Sequence, residues 1–191
     1  MSKDGIRINI PNLISLIRLL CVPMTVWLII NNQVLIAFWV FVFASISDAL
    51  DGFIAKRFNL QTELGAYLDP IADKALLVSV FITLGQAGYL NSWLVLLVVF
   101  RDSLILVGAF LYHLIHENLT MEPLLISKIN TAAQFFLVTV VLGLHGYSIV
   151  DSLIIEIMVY VVAVTSIISG AAYVGIWGMR AANMESGGRH E

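Results

Sequence analysis

Charge is what this sequence has least of. Lys, Arg, Asp and Glu together make up 12% of its 191 residues, against about 25% in an ordinary soluble domain, which excludes a surface built to face water. Cysteine is nearly absent: Cys21 stands alone inside an apolar run, so no intramolecular disulfide can form. No long linker, low-complexity stretch or internal repeat interrupts the chain, which therefore reads as one domain. What the chain has instead is apolar sequence, 60% of all residues, with a mean hydropathy of +0.94. The net charge of −3 says little, because in such a chain the distribution of charge matters more.

The apolar runs approach the roughly 20 residues that a bilayer-spanning helix needs. They are too continuous for barrel strands, and backbone groups in lipid must be satisfied internally. The fold class expected is an all-α integral membrane protein with six transmembrane helices, at about 10–30, 34–55, 66–84, 92–115, 124–144 and 153–178. Residues 1–9 form a polar arm with Lys3 and Arg7, residues 10–178 the six-helix domain, and residues 179–191 a polar tail. Arg18 and Pro23, and the lack of a clean small-residue cleavage site, mark the first run as a retained helix rather than a signal peptide.

The ten basic residues fix an orientation. None falls in the turns 31–33, 85–91 or 145–152. Lys3, Arg7, Lys56, Arg57, Arg180 and Arg189 lie in the segments on the other side, and Arg18, Lys74 and Lys128 lie near the helix ends on that side, where long side chains can snorkel. The positive-inside rule then puts both termini in the cytoplasm. The expected location is the cytoplasmic (inner) membrane, crossed several times, with the lipid bilayer as a partner and no nucleic-acid partner.

Against this background residues 48–73, DALDGFIAKRFNLQTELGAYLDPIAD, stand out. Asp48 and Asp51 are three apart and Asp69 and Asp73 four apart, spacings that put each pair on one face of a helix. Four carboxylates that converge at low dielectric repel strongly unless neutralised, and hard divalent cations bound through oxygen do that. Intramembrane ionisable residues are costly and usually functional. The stretch reads as a metal site at the cytoplasmic edge of the membrane. Gly52 and Gly65 remove Cβ atoms where a ligand must approach the backbone or where helices pack tightly.

The spacing D-x-x-D-G-x-x-A-(K/R)-x8-G-x3-D-x3-D resembles the signature of the CDP-alcohol phosphatidyltransferases, integral membrane enzymes of six transmembrane helices. All four aspartates, Gly52, Gly65 and Ala55 match, and Lys56, followed by Arg57, stands where the signature has arginine. The resemblance implies that Asp48, Asp51, Asp69 and Asp73 bind metal, Mg²⁺ or Mn²⁺ and two ions. It further implies that Asp73 is the general base towards an acceptor hydroxyl, and that the donor is CDP-diacylglycerol. Asn12, Ser15 and Arg18 in the opening PNLISLIRLLCVP, together with Gly52, Ala55, Lys56, Arg57 and Gly65, are then donor-binding candidates. Lys56 keeps the positive charge but cannot make a planar two-pronged contact. A homodimer is the family's usual assembly.

The opening also resembles the branch of the family that makes glycerol-based phospholipids, so the acceptor is an anionic glycerol-based alcohol. Phe100, Arg101 and Asp102 with the following SLILVGAFLY, and residues 126–132 followed by AQ, resemble the pattern whose acceptor is phosphatidylglycerol and whose product is cardiolipin; in members that use glycerol-3-phosphate, glutamate usually follows the matching arginine. Phosphatidylglycerol is the favoured acceptor and glycerol-3-phosphate the alternative. Arg101, near mid-span, and Lys128 are candidates for the acceptor phosphate. The competing role for Arg101 is a structural pair with another helix, with Asp102 expected to face elsewhere, since consecutive helical residues diverge. His113 and His116 read as interfacial, and Ser166, Ser169, Gly170 and Ala171 as small residues for packing helix on helix or subunit on subunit. A cation transporter or channel using the same carboxylates is the remote alternative.

Overall fold

The computed structural model describes residues 10–58, 63–115, 124–149 and 152–187, and among these it is all helix. Six helices follow in order: α1 (Ile10–Ile30), α2 (Val34–Phe58), α3 (Glu63–Gln86), α4 (Ser92–Ile115), α5 (Leu125–Gly146) and α6 (Ser152–Gly187). Two stretches, Leu125–Gly146 and Ser152–Ile176, are by length and composition long and apolar enough to cross a membrane. Three bounds differ from the sequence expectation by three residues or more. The loop expected at 56–65 is taken up by α2, which runs on to Phe58, and by α3, which begins at Glu63. Helix α6 passes through residue 178 and continues to Gly187. The polar residues beyond 178 mark an end of apolar composition, whereas MRAANME is made of good helix formers and holds no proline.

The helices fall into two compact units. In the first, α1 packs against both α2 and α3, and residues 138–151, with the last turns of α5, complete the unit. Its core residues recur at helical spacing: Val34, Ala37, Phe41 and Ala44 on α2, and Leu76, Leu77, Val80, Phe81 and Leu84 on α3. Helix α5 approaches α2 so closely that a Cβ on Gly146 would stand 2.9 Å from Leu35 Cα. Only glycine fits there. In the second unit α4 packs against α6, with residues 125–137 of α5 beside them.

Polarity is distributed inside out in both units. Trp27, Trp39, Phe43 and Ile46 in the first, and Leu96, Phe100, Tyr160 and Ile167 in the second, face outwards. Arg18 and Thr25, and Arg101, Asp102, Asn130, Gln134, Ser166 and Ser169, are buried. Leu96 is 70% exposed and Arg101 3%. A water-facing protein would reverse this. Hydroxyls within the helices satisfy themselves on the preceding turn: Thr25 Oγ1 donates to the Cys21 carbonyl at 2.7 Å, and Thr83 Oγ1 to that of Ser79 at 2.7 Å.

Three turns close with one geometry. After α1, Asn32 N bonds to Ile29 O and Gln33 N to Leu28 O at 3.0 and 2.8 Å, with Asn32 at φ 59°. After α3, Gly88 N bonds to Gly85 O and Tyr89 N to Leu84 O at 3.2 and 2.9 Å, with Gly88 at φ 79°. After α5, Ser148 N bonds to His145 O and Ile149 N to Leu144 O at 3.1 and 2.8 Å, with Ser148 at φ 56°. Each is a Schellman cap, a left-handed residue whose flanking amides satisfy the last helical carbonyls.

Candidate functional site

The aspartates lie on the two helices joined across residues 59–62. Asp48 lies ten residues before the end of α2 and Asp73 ten after the start of α3; Asp51 and Asp69 lie seven and six residues from the same joint. At 1.5 Å per residue Asp51 and Asp69 lie about 10 Å along their helices from the joint, and Asp48 and Asp73 about 15 Å. Each pair keeps the i, i+3 or i, i+4 spacing of one helix face, because both lie inside continuous helix. Carboxylate oxygens in this number are the donor chemistry that Mg²⁺ or Mn²⁺ takes. The side chains of these four residues lie outside the described set, as do those of Asn12, Ser15, Gly52, Ala55, Lys56, Arg57 and Gly65, all of which are helical in backbone. His113 lies on α4 with its side chain outside that set, and His116 lies outside the described residues altogether.

Arg18 is 1% exposed and turned into the first unit, not stretched along its surface. The first unit also carries a cleft of about 320 Å³ at the opposite end of α2 from the aspartates, lined among others by Asn32, Gln33, Tyr89 and His145. The Tyr89 and His145 rings stack with centroids 4.3 Å apart, and His145 Nδ1 donates to the Val141 carbonyl at 2.9 Å. Among the described residues no carboxylate, Lys or Arg lines this cleft.

In the second unit the buried polar groups form one connected cluster. Arg101 Nη1 donates to Asp102 Oδ1 at 2.6 Å, so the neighbour expected to face elsewhere is the one paired with it. The long arginine side chain spans the angle that separates consecutive helical residues. Arg101 Nη2 donates to Ser127 Oγ on α5 at 2.7 Å and to Ser169 Oγ on α6. Lower on the same face of α5, Asn130 Oδ1 accepts from Thr165 Oγ1 at 2.8 Å and Ser166 Oγ at 2.9 Å. Ser166 and Ser169 therefore pack helix on helix, and a Cβ on Gly170 would lie 3.6 Å from Arg101 Cγ. Lys128 is exposed on α5.

Asn130 and Gln134 carry no site assignment from sequence, yet both are fully buried. Their signal was the polar register Ser127, Asn130, Thr131, Gln134 along one face of an otherwise apolar helix. Gln134 Oε1 and Nε2, Asn130 Nδ2 and Arg101 Nε find no partner among the described residues. Leaving a buried polar group without one costs about 1–3 kcal/mol.

The CDP-alcohol phosphatidyltransferase family model matches residues 8–177. A rice chloroplastic CDP-diacylglycerol–glycerol-3-phosphate 3-phosphatidyltransferase is 34% identical, over 87% of this chain and 56% of its own length. A rat CMP-forming cardiolipin synthase is 31% identical, over 86% of this chain and 60% of its own. The CDP-diacylglycerol–glycerol-3-phosphate 3-phosphatidyltransferase of Rickettsia typhi is 32% identical, over 86% of this chain and 94% of its own. The chain thus spans under two thirds of the rice and rat relatives and nearly all of the rickettsial one. Relatives named for two different acceptors match at similar identity. With the family model spanning the six helices almost from end to end, the chain belongs to the CDP-alcohol phosphatidyltransferase family.

Proposed function

We propose that this protein is a divalent-metal-dependent transferase of phospholipid biosynthesis, with CDP-diacylglycerol as donor and phosphatidylglycerol as acceptor, giving cardiolipin and CMP. The observation that carries the reading is the four-aspartate register on α2 and α3, at matching distances from their joint, inside a family match over residues 8–177. The cation-transport alternative gives way to family membership. Glycerol-3-phosphate is the second acceptor, supported by the names of the rice and rickettsial relatives.

In this reading Asp48, Asp51, Asp69 and Asp73 hold two Mg²⁺ or Mn²⁺ ions, which when bound neutralise the donor pyrophosphate and stabilise the leaving CMP. Asp73 takes the proton of the acceptor hydroxyl. The hydroxyl oxygen forms its bond to the diacylglycerol-linked phosphorus as the bond from that phosphorus to CMP breaks. Asn12, Ser15, Arg18, Gly52, Ala55, Lys56, Arg57 and Gly65 serve the donor. Lys128, exposed on α5, meets the acceptor phosphate; Arg101 joins it by exchanging one of its present partners. The inside-out polarity supports a chain embedded in the bilayer, and the basic-residue distribution supports six spans with both termini and the active site on the cytoplasmic side. A homodimer belongs to the same reading, and cross-linking in native membranes checks it.

The test is a product assay on purified protein with labelled CDP-diacylglycerol and Mg²⁺ or Mn²⁺, offering phosphatidylglycerol and glycerol-3-phosphate separately. Cardiolipin and CMP from the first alone is the expected result. Product from glycerol-3-phosphate alone reverses the acceptor assignment and leaves the aspartate chemistry standing.

A further inference from the structure

The buried polar cluster of the second unit has an unmet hydrogen-bonding demand of definite composition. Three donors lack a partner among the described residues: Arg101 Nε, Asn130 Nδ2 and Gln134 Nε2. One acceptor, Gln134 Oε1, is in the same position. The groups lie on neighbouring turns of the facing helices. Arg101 holds Ser127 and Ser169, Asn130 holds Ser166, Ser127 lies one turn from Asn130 on α5, and Gln134 lies one turn further along the same face.

This composition excludes most ligands. An acyl chain satisfies none of the four atoms. A bare anion beside the amides satisfies their donors but sets negative charge against Gln134 Oε1. A hydroxyl group both accepts and donates, and matches the mixture. Two sources can supply it, internal water and the acceptor alcohol.

Only the acceptor gives Gln134 a reason to be where it is. Asn130 ties α5 to α6 through Thr165 and Ser166, but the Gln134 amide, fully buried, finds no partner among the described residues. Resting on the acceptor reading above, we propose that the Asn130 and Gln134 amides bind the non-reacting secondary hydroxyl of the acceptor's glycerol unit, which makes them acceptor-specificity residues. That hydroxyl is common to phosphatidylglycerol and glycerol-3-phosphate, so the pair selects a glycerol unit against other alcohols whichever of the two is used.

Gln134→Leu tests this, because it removes no side-chain bond to any described residue. Kinetics are measured for wild type and variant with the acceptor that wild type uses and with the same acceptor lacking its secondary hydroxyl. Expected is a rise of roughly tenfold in the KM for the intact acceptor in the variant, with kcat and the KM for CDP-diacylglycerol little changed. The deoxy acceptor should then bind wild type and variant alike. An unchanged acceptor KM together with a higher melting temperature identifies internal water as the partner and overturns the proposal. So do independent, multiplying effects of the variant and the deoxy acceptor. Wild-type protein that transfers to neither alcohol overturns the functional reading itself, and this proposal with it; normal wild-type transfer with an indifferent variant overturns only the role of Gln134.

Discussion

Arg101 and Asp102 are consecutive on α4, and their side chains close on each other at 2.6 Å with both nearly sealed from the surroundings. The guanidinium reaches onward from this pair to Ser127 on α5 and Ser169 on α6, so one ion pair pins three helices of the second unit. Removing one partner of a buried pair strands the other, which costs about 3–5 kcal/mol, whereas replacing both with apolar residues of similar volume is far milder. Asp102→Asn is therefore expected to lower the melting temperature sharply in detergent or nanodiscs, and the double variant Arg101→Met/Asp102→Leu to recover much of the loss. A double variant no better than Asp102→Asn would show that the serine contacts, and not the charge balance, hold the unit.

The aspartates are expected to act as a set. Asp73→Asn should lower turnover by about 10²–10⁴-fold, the range for loss of a general base, and Asp48→Asn, Asp51→Asn and Asp69→Asn should abolish transfer while leaving the fold intact. Chelation with EDTA should stop the reaction, and Mg²⁺ or Mn²⁺ should restore it. Near-normal turnover in any two of these variants is the result that sinks the metal-site reading.

The capped turns predict opposite responses to changes at glycine. Ser148 is a non-glycine residue at φ 56°, so Ser148→Gly should stabilise by about 1 kcal/mol. At Gly88, φ 79°, an added Cβ meets nothing within 4 Å, so Gly88→Ala should lose about 1–2 kcal/mol from backbone strain alone. Gly146→Ala adds a methyl 2.9 Å from Leu35 Cα and should cost about 1–3 kcal/mol as overpacking. Thermal unfolding of the three variants side by side separates strain from crowding.

The orientation can be read with single cysteines in a Cys21→Ser background. A membrane-impermeant thiol reagent should label Asn31→Cys and Tyr147→Cys from the outer face, and Glu117→Cys only after the membrane is opened. The reverse pattern would turn the protein over and move the aspartates to the opposite side.

Most of the helix plan was legible because long apolar runs and short polar turns alternate. Asn31-Asn32 and Gly88 announced two of the three caps through residues that tolerate the left-handed region. The run-on of α6 was not legible, since loss of apolar composition reports departure from lipid and says nothing of helix continuity. The Arg101–Asp102 pair was hidden because divergence of consecutive residues holds for Cβ directions but not for the tip of a long side chain. Gln134 belongs to the stretch 126–134 that carried the acceptor resemblance, but nothing in the sequence gave it a role; its position matters only once burial is known. The aspartate reading rests on spacing, and the continuous helix through each pair preserves that spacing.

The three left-handed caps also bear on how such a chain enters a membrane. Each ends a helix with a few residues that satisfy its last carbonyls, so the tip needs little from water while crossing hydrocarbon. On the six-span reading these tips are the segments that must be pushed through, and 31–33 and 85–91 carry no charge while 145–152 carries only Asp151. With roughly 2.5–3.5 kcal/mol as the cost of one central charge, passage of these three capped tips encounters almost no electrostatic barrier, and the basic residues left behind keep them from slipping back.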